Sequence, residues 1–473
     1  MSLYGLLLLN LGVLGLFGFL SYFLHKYADA WYLRANRTKN IFNGFYEKFI
    51  LLEIKLPREV NKSPQAMEFV IDAFYQMAGN PKPTEAEKYK KLSLYGKYEK
   101  DKIYRDDAYH QGQMRLWMTM EIESRGGELH FYIGTQKRYK DIISSYIFSQ
   151  YPGIEVSEAE DYTTKIRPVV HGGEYEPWTS EAELRGKDYL PIKTYVDYGL
   201  DKDPKDEFKI DPMIPLLESM ANIKEDEHVW YQVLVRASQE KKGKDWKKEG
   251  QDRIDKILGI KRAKEDDKDK KIEKGDITEQ SKDVTKLPPK EKNELELIDR
   301  NLSKLGFDTI VRMIYLAPKD SLRQEGDQII RNAMKSFNNE QFNTIKMNNQ
   351  NTTNAFLDYP DRRREKNKKA GRFALYCMRN PMLVSTSMDP RPFMEVWKKW
   401  KKIGFKSAKE TLFEDFPKYF TNINDKELDM GFSFVMNSEE LATIFHFPSR
   451  AFTAPKFARV ESVKSEPPAN LPI

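Results

Sequence analysis

A single cysteine, Cys377, stands in a chain of 473 residues. One thiol cannot build an intramolecular disulfide framework, and such usage fits a reducing compartment. Phosphate-binding glycine loops are missing as well. Gly96-Lys97, Gly186-Lys187 and Gly243-Lys244 lack the upstream glycine and following hydroxyl that gather backbone N–H groups and Mg²⁺ around a phosphate. No dinucleotide-binding glycine fingerprint occurs. The six histidines (His25, His110, His130, His171, His228 and His446) are scattered, with no H-E-x-x-H and no Cys-His cluster, which argues against a zinc site. Cys377, within the apolar ALYCMRNP, reads as a packed thiol and not a nucleophile. Long runs of one charge sign are absent, and a net charge of +6 is small for this length, so no nucleic-acid coat is implied. No catalytic residue, cofactor or metal site is expected.

What is present begins with residues 3–24, LYGLLLLNLGVLGLFGFLSYFL, an apolar run without a charge. At 1.5 Å per residue it would span roughly 30 Å, the thickness of a bilayer core. A signal peptide is the rival reading, opposed by the missing basic n-region and by the length of the run. The pattern predicts a transmembrane helix over 1–25 and an amphipathic juxtamembrane helix over 26–48, suggested by the helical spacing of Phe42, Phe45 and Tyr46 that runs on to Phe49. Lys26, Arg34, Arg37 and Lys39 follow the run, so the positive-inside rule puts the N-terminus outside and the bulk at the cytoplasmic face of an inner membrane. The expected location is therefore single-pass, in the inner membrane.

Aromatic residues at 12% are too plentiful for a disordered chain, and the length suits two or three domains. FILLEIKL (49–56) reads as a strand, Ser63-Pro64 opens a helix, and MRLWMTMEI (114–122) and ELHFYIGT (128–135) flank an Arg125-Gly126-Gly127 turn. Helix 137–150 and the strand-like IEVSEAED complete a β-α-β-β-α-β order. The order recurs, with TYVDYGL (194–200), a helix opened by Asp211-Pro212, VWYQVLVRAS (229–238), FDTIVRMIYLA (307–317), helix 320–337 and FNTIKM (342–347). The expected fold is α+β: a transmembrane helix, then two tandem ferredoxin-like (split βαβ) units over 49–165 and 190–350. A charged insertion, 239–303, interrupts the second unit, and reads as a solvated, partly helical excursion. Its short apolar stripe (Ile254, Ile257, Leu258, Ile260) is either a partner contact or docks back on the parent unit.

A basic region over 357–446 follows. Arg362, Arg363, Arg364, Lys366, Lys368, Lys369 and Arg372 form a candidate site for an anionic partner, with nucleic acid, lipid and acidic protein all open. VWKKWKKIGFK reads as an amphipathic helix with Trp397 and Trp400 on its apolar face. The tail 447–473 is stiffened by Pro448, Pro455, Pro467, Pro468 and Pro472. Phe447, Phe452 and Phe457, with Arg450, Lys456 and Arg459, are its candidate partner-docking residues.

SPQAMEFV, HFYIGTQKRYKDIISSYIFSQYPGIEVSEAEDYT, DPMIPLLESMANIKEDEHVWYQVLVRAS and EELATIFHFPSR occur in this order. On these segments residues 45–473 resemble the N-terminal, non-ATPase half of type IV secretion and conjugation motor ATPases as found in small-genome bacteria. In that family the HFPSR segment leads into the nucleotide-binding domain, which is not present here, so the resemblance implies no hydrolysis. It implies instead a membrane-anchored, non-catalytic subunit of a translocation machine that supports a separate motor ATPase. A membrane-tethered nucleic-acid-binding protein using the 362–372 cluster is the alternative, and a homo-oligomer fits either reading.

Overall fold

The structure, a computed structural model, describes residues 49–57, 62–77, 116–166, 173–201, 210–238, 245–260, 284–321, 326–332, 334–338, 341–349, 373, 376, 377, 379 and 434–448. All of them belong to one compact unit.

Its frame is a single antiparallel sheet of nine strands. The strands are β1 (Phe49–Lys55), β2 (Trp117–Arg125), β3 (Glu128–Gln136), β4 (Glu155–Ala159), β5 (Tyr175–Leu184), β6 (His228–Ala237), β7 (Gly306–Pro318), β8 (Ile345–Asn349) and β9 (Phe434–Asn437). They lie in the order β4-β1-β3-β2-β6-β7-β5-β8, with β9 on the first residues of β7 beside β5. Reading outward from the centre, β2-β3-β1-β4 on one side answers β6-β7-β5-β8 on the other. The connectivity of one half therefore repeats in the other. The halves are fused where β2 pairs β6 over nine rungs, from Trp117 opposite Arg236 to Arg125 opposite His228.

That fusion corrects the expected fold class. The described chain is not two tandem ferredoxin-like units behind a membrane helix. It is one continuous sheet, because β2 and β6 both offer a full edge of backbone donors and acceptors, and pairing them satisfies both. The second half also starts earlier than its periodicity suggests. Its first strand is β5, whereas 194–200 forms turns, pinned where Asp197 Oδ2 accepts from the Thr194 amide at 2.8 Å.

The helices are α1 (Gln65–Met77), α2 (Lys140–Gln150), α3 (Ile214–Ala221), α4 (Trp246–Leu258), α5 (Pro289–Leu302), α6 (Gly326–Asn332) and α7 (Ser438–Ile444). The longest of these described helices holds 14 residues, about 21 Å at 1.5 Å each, well short of a bilayer core. Among the described residues no helix is long and apolar enough to cross a membrane. None of the described helices is the expected single-pass span. Residues 1–25 and 26–48, where the span and the juxtamembrane helix were expected, lie outside the described residues. The charged insertion is helical at both ends, which form the α4–α5 pair, and Ile254 and Ile257 are buried, so of the two readings of the apolar stripe the one that docks back holds.

Alternation along the strands gives the sheet two unlike faces. One carries Leu52 and Ile54, Met120 and Ile122, Phe131 and Ile133, Val233 and Val235, Val311 and Met313, all packed in one apolar core under the helices. Its hairpin from β2 to β3 turns through Gly126 and Gly127 at φ +55° and +90°, the left-handed values a two-residue reversal needs. The other face is polar, and holds the candidate site.

Candidate functional site

One row of side chains crosses the polar face. Glu53 stands opposite Tyr132, Tyr132 opposite Glu121, Glu121 opposite Gln232, Gln232 opposite Arg312, and Arg312 opposite Glu181. Each strand supplies one member of the row, and cross-strand register aligns them. In the β5–β7 half the charges answer each other within the sheet, Arg312 Nε donating to Glu181 Oε1 at 3.0 Å. In the β2–β3 half the carboxylate of Glu121 is answered from outside.

The answering cation is Arg379. Its Nε donates to Glu121 Oε1 at 2.8 Å and Oε2 at 3.1 Å, and its Nη1 to Asp161 Oδ2 at 3.0 Å. Tyr162 Oη donates to Glu121 Oε2 at 2.6 Å, and Gln232 Nε2 to Oε1 at 3.0 Å. The Tyr162 hydrogen is thereby committed, so across the 3.0 Å contact with Tyr376 the Tyr376 hydroxyl is the donor. Burial and the Glu121 charge push both phenols well above their usual range, so they stay neutral donors. Burial opposes the Arg379 charge, but Asp161 and Glu121 outweigh it and hold the guanidinium protonated. Glu121 is fully buried and Arg379 nearly so; such a pair is tolerable in low dielectric because Tyr162, Gln232 and Asp161 add hydrogen bonds around it.

Aromatic rings frame this ion pair. Trp230 lies 5.8 Å from the Phe373 ring, 5.5 Å from Tyr376 and 5.2 Å from Tyr162, while the guanidinium of Arg379 sits 5.2 Å over Tyr162. Trp117 Nε1 donates to the Arg379 carbonyl at 2.9 Å. The Trp117 ring stacks on Phe49 at 5.8 Å across Gly134, where any Cβ would strike the Phe49 ring. Arg379 has φ +51°, left-handed for a residue with a side chain, a conformation disfavoured by roughly 1–2 kcal/mol. Phe373, Tyr376, Cys377 and Arg379, buried together, act as a strap across the polar face. Cys377 is a packed thiol, and its carbonyl accepts from Arg379 Nη1 at 3.2 Å.

No family model matches this chain, and no curated protein matches it. The expectation of a type IV secretion or conjugation component is corrected accordingly: nothing among these comparisons supports it. The ordered motifs that prompted it have a physical role of their own, for they converge on one junction in the apolar core. Phe131 of HFYI and Tyr151 of SQYPG meet Phe447 edge to face, at centroid distances of 5.7 and 4.9 Å. His446 Nε2 donates to Asp211 Oδ2 at 3.0 Å, linking HFP to the DP helix start, and His446 Nδ1 donates to the Ala442 carbonyl at 2.8 Å. With both ring nitrogens donating, His446 is an imidazolium. Burial works against that charge, but Asp211 and the hydrogen bonds outweigh it and raise the pKa.

Helix α7 leads into this junction, and all seven of its residues are buried. Asn437 and Glu440 form a capping box at its start, and Glu440 Oε1 also accepts from the Ile192 amide at 2.9 Å. Burial pushes the Glu440 carboxyl up to about 8 against the pull of those two amides. Phe447, a candidate docking residue of the tail, is therefore a core residue. Arg450, Phe452, Lys456, Phe457 and Arg459 lie outside the described residues. So do Arg362, Arg363, Arg364, Lys366, Lys368, Lys369 and Arg372.

Sequence reasoning missed the Glu121 cluster, although a signal was there. Glu121 in MTMEI, Gln232 in WYQVL and Arg312 in IVRMI each set a polar residue directly between apolar or aromatic neighbours. The cluster's donors and acceptors are spent largely on one another. The cavity beside it, bordered by Thr179, Glu181, Arg312 and Tyr376, has room for about one water. Among the described residues no three His, Cys, Asp or Glu are placed to hold a metal ion. What this arrangement does chemically is clamp chain segments.

Proposed function

We propose that the chain is a non-catalytic assembly subunit that holds a separate protein against its helical layer. The observation that carries this reading is the outer side of α2. Ile143 and Ile147 face the core, while Ile142 (45% exposed), Tyr146 (40%) and Phe148 (46%) face outward. Between Asp141 and Gln150 the helix has no charge, and on the neighbouring α1 Phe69 is 54% exposed. An uncharged apolar patch of this kind favours a partner that offers an equally uncharged apolar surface. The Glu121 carboxylate, whose two oxygens already accept from Arg379, Tyr162 and Gln232, supports a holding role over a catalytic one.

A separate motor ATPase is the partner class we put first, on the strength of the ordered motifs alone. The test is co-purification of that class of subunit with the full chain and with an Ile142→Glu/Tyr146→Glu variant. Recovery should fall more than tenfold in the variant while its melting temperature is unchanged. Equal recovery would remove α2 from the interface, and saturable ATP binding by the chain itself would turn the reading toward an enzyme.

A further inference from the structure

Helix α7 begins inside a cluster of carboxylates that outnumber the cations around them. Glu439 and Glu440 on α7 and Glu68 on α1 are buried, and Asp72 follows Glu68 by one turn of α1. Among the described residues, two cations come close. Lys304 Nζ donates to Glu68 Oε1 at 2.7 Å and lies 3.7 Å from Glu439. Arg300 Nε lies 3.7 Å from Glu439, while its Nη1 and Nη2 donate to Asp197 at 2.9 and 3.0 Å. The other donors are neutral: Tyr195 Oη to Glu68 Oε2 and Thr194 Oγ1 to Glu439 Oε1, both at 2.5 Å, and Ser438 Oγ to Glu68 Oε1 at 3.2 Å. Glu440 accepts from two amides, those of Asn437 and Ile192, and the nearby Glu439 and Asp188 carry its own sign. Four carboxylates that face one lysine and a shared arginine leave a negative excess, which protons remove most cheaply in a buried place. Burial accordingly raises the carboxyls of Asp72, Glu439 and Glu440.

The far end of the same stretch needs a proton too, because His446 holds Asp211 as an imidazolium. We propose that the 434–448 stretch is a proton-operated latch, closed while the carboxylate cluster and His446 keep their protons and opened as a unit when they lose them. The sheet can survive that opening. β9 lies off the main strand path and meets β7 over four rungs, from Gly306 opposite Asn437 to Thr309 opposite Phe434. Both ends of the stretch respond to pH in one sense. The raised Glu440 carboxyl stabilises the closed state fully below 4.5 and loses that share as pH rises toward about 8, and His446 loses its share as pH rises above 6.5. The two losses overlap between 6.5 and 8. At about pH 6 and below the stretch opens only together with β6 and β7; toward about pH 8 it opens ahead of them.

Cleavage of the full chain by a non-specific protease, mapped by mass, tests this. Rates are read at two places, within α7 and within β6, each divided by the rate on an unstructured peptide of the same sequence at the same pH. From about pH 5.5 to about pH 8.5 the α7 rate should rise at least tenfold more than the β6 rate. Glu440→Gln, which cannot gain a charge at that position, should cut this excess at least threefold. Equal rises at α7 and β6 mean global unfolding and overturn the latch. An excess that survives in full in Glu440→Gln overturns the part given to the carboxylate cluster. If that variant does not fold, the unaltered chain decides alone: a ratio of α7 to β6 cleavage that climbs with pH supports the latch, and a constant ratio overturns it.

Discussion

Two stretches reach the sheet from far along the chain, and they are held by different physics. The strap residues Phe373, Tyr376, Cys377 and Arg379 lie on the polar face through one buried ion pair, several donors to it and a few ring contacts. The 434–448 stretch enters the opposite side by backbone pairing of β9 with β7 and by burial of every residue of α7. Apolar burial is non-directional and adds with area, so the second stretch shares the stability of the whole core. An ion pair gains only what geometry leaves after desolvation, and water replaces its partners when it opens. The comparison sets a contact that depends on geometry against one that adds with area, and the two should respond differently to mutation.

The strongest break in that comparison is at the apolar stretch. Phe445→Ala removes a fully buried ring that packs edge to face on Phe131, and should lower unfolding free energy by about 3–5 kcal/mol in a single urea transition. On the strap, Arg379→Ala should cost less, about 1–2 kcal/mol, although stranding a buried carboxylate usually costs roughly 3–5 kcal/mol. The reason is that a released strap lets water reach Glu121. A loss as large as that of Phe445→Ala would mean that the strap is ordinary core.

The smallest expected effect sharpens the account of the junction through pH. The folded pKa of His446 is raised above 6.5, so its stabilisation is complete below that value and is lost as pH rises through the folded pKa. Asp211 is lowered below 3.8, because the His446 charge and hydrogen bonds outweigh burial, so its share is present above 3.8 and is lost as pH falls through the folded value. Urea midpoints of the unaltered chain minus those of His446→Gln should be largest near pH 5–6 and shrink toward pH 9. A difference that grows toward alkaline pH would contradict the imidazolium assignment.

Much of the local structure was legible because period and caps are local signals. VWYQVLVRAS and FDTIVRMIYLA yield β6 and β7, and Asp211-Pro212 does precede α3, its carboxylate accepting from the Met213 amide at 2.8 Å. β5 escaped because Pro177 and three glutamates dilute YEPWTSEAEL, although Ser180 and Ala182 are buried in it. Fusion of the halves was not legible, since the β2 and β6 patterns state that each is a strand and not that they pair. The site was harder still. Glu121 and Arg379 stand far apart in sequence, and only a fold can bring a strand carboxylate under a strap arginine.

Native-state hydrogen exchange on the full chain tests the central claim most directly. The Arg379 amide bonds to the Tyr376 carbonyl at 3.2 Å, and the Phe445 amide to the Leu441 carbonyl at 2.9 Å. The account predicts that Phe445 exchanges only with the amides of β6 and β7, through global unfolding, while Arg379 exchanges through a separate, lower-energy opening. Equal protection at Arg379 and Phe445, falling together with denaturant, would contradict it.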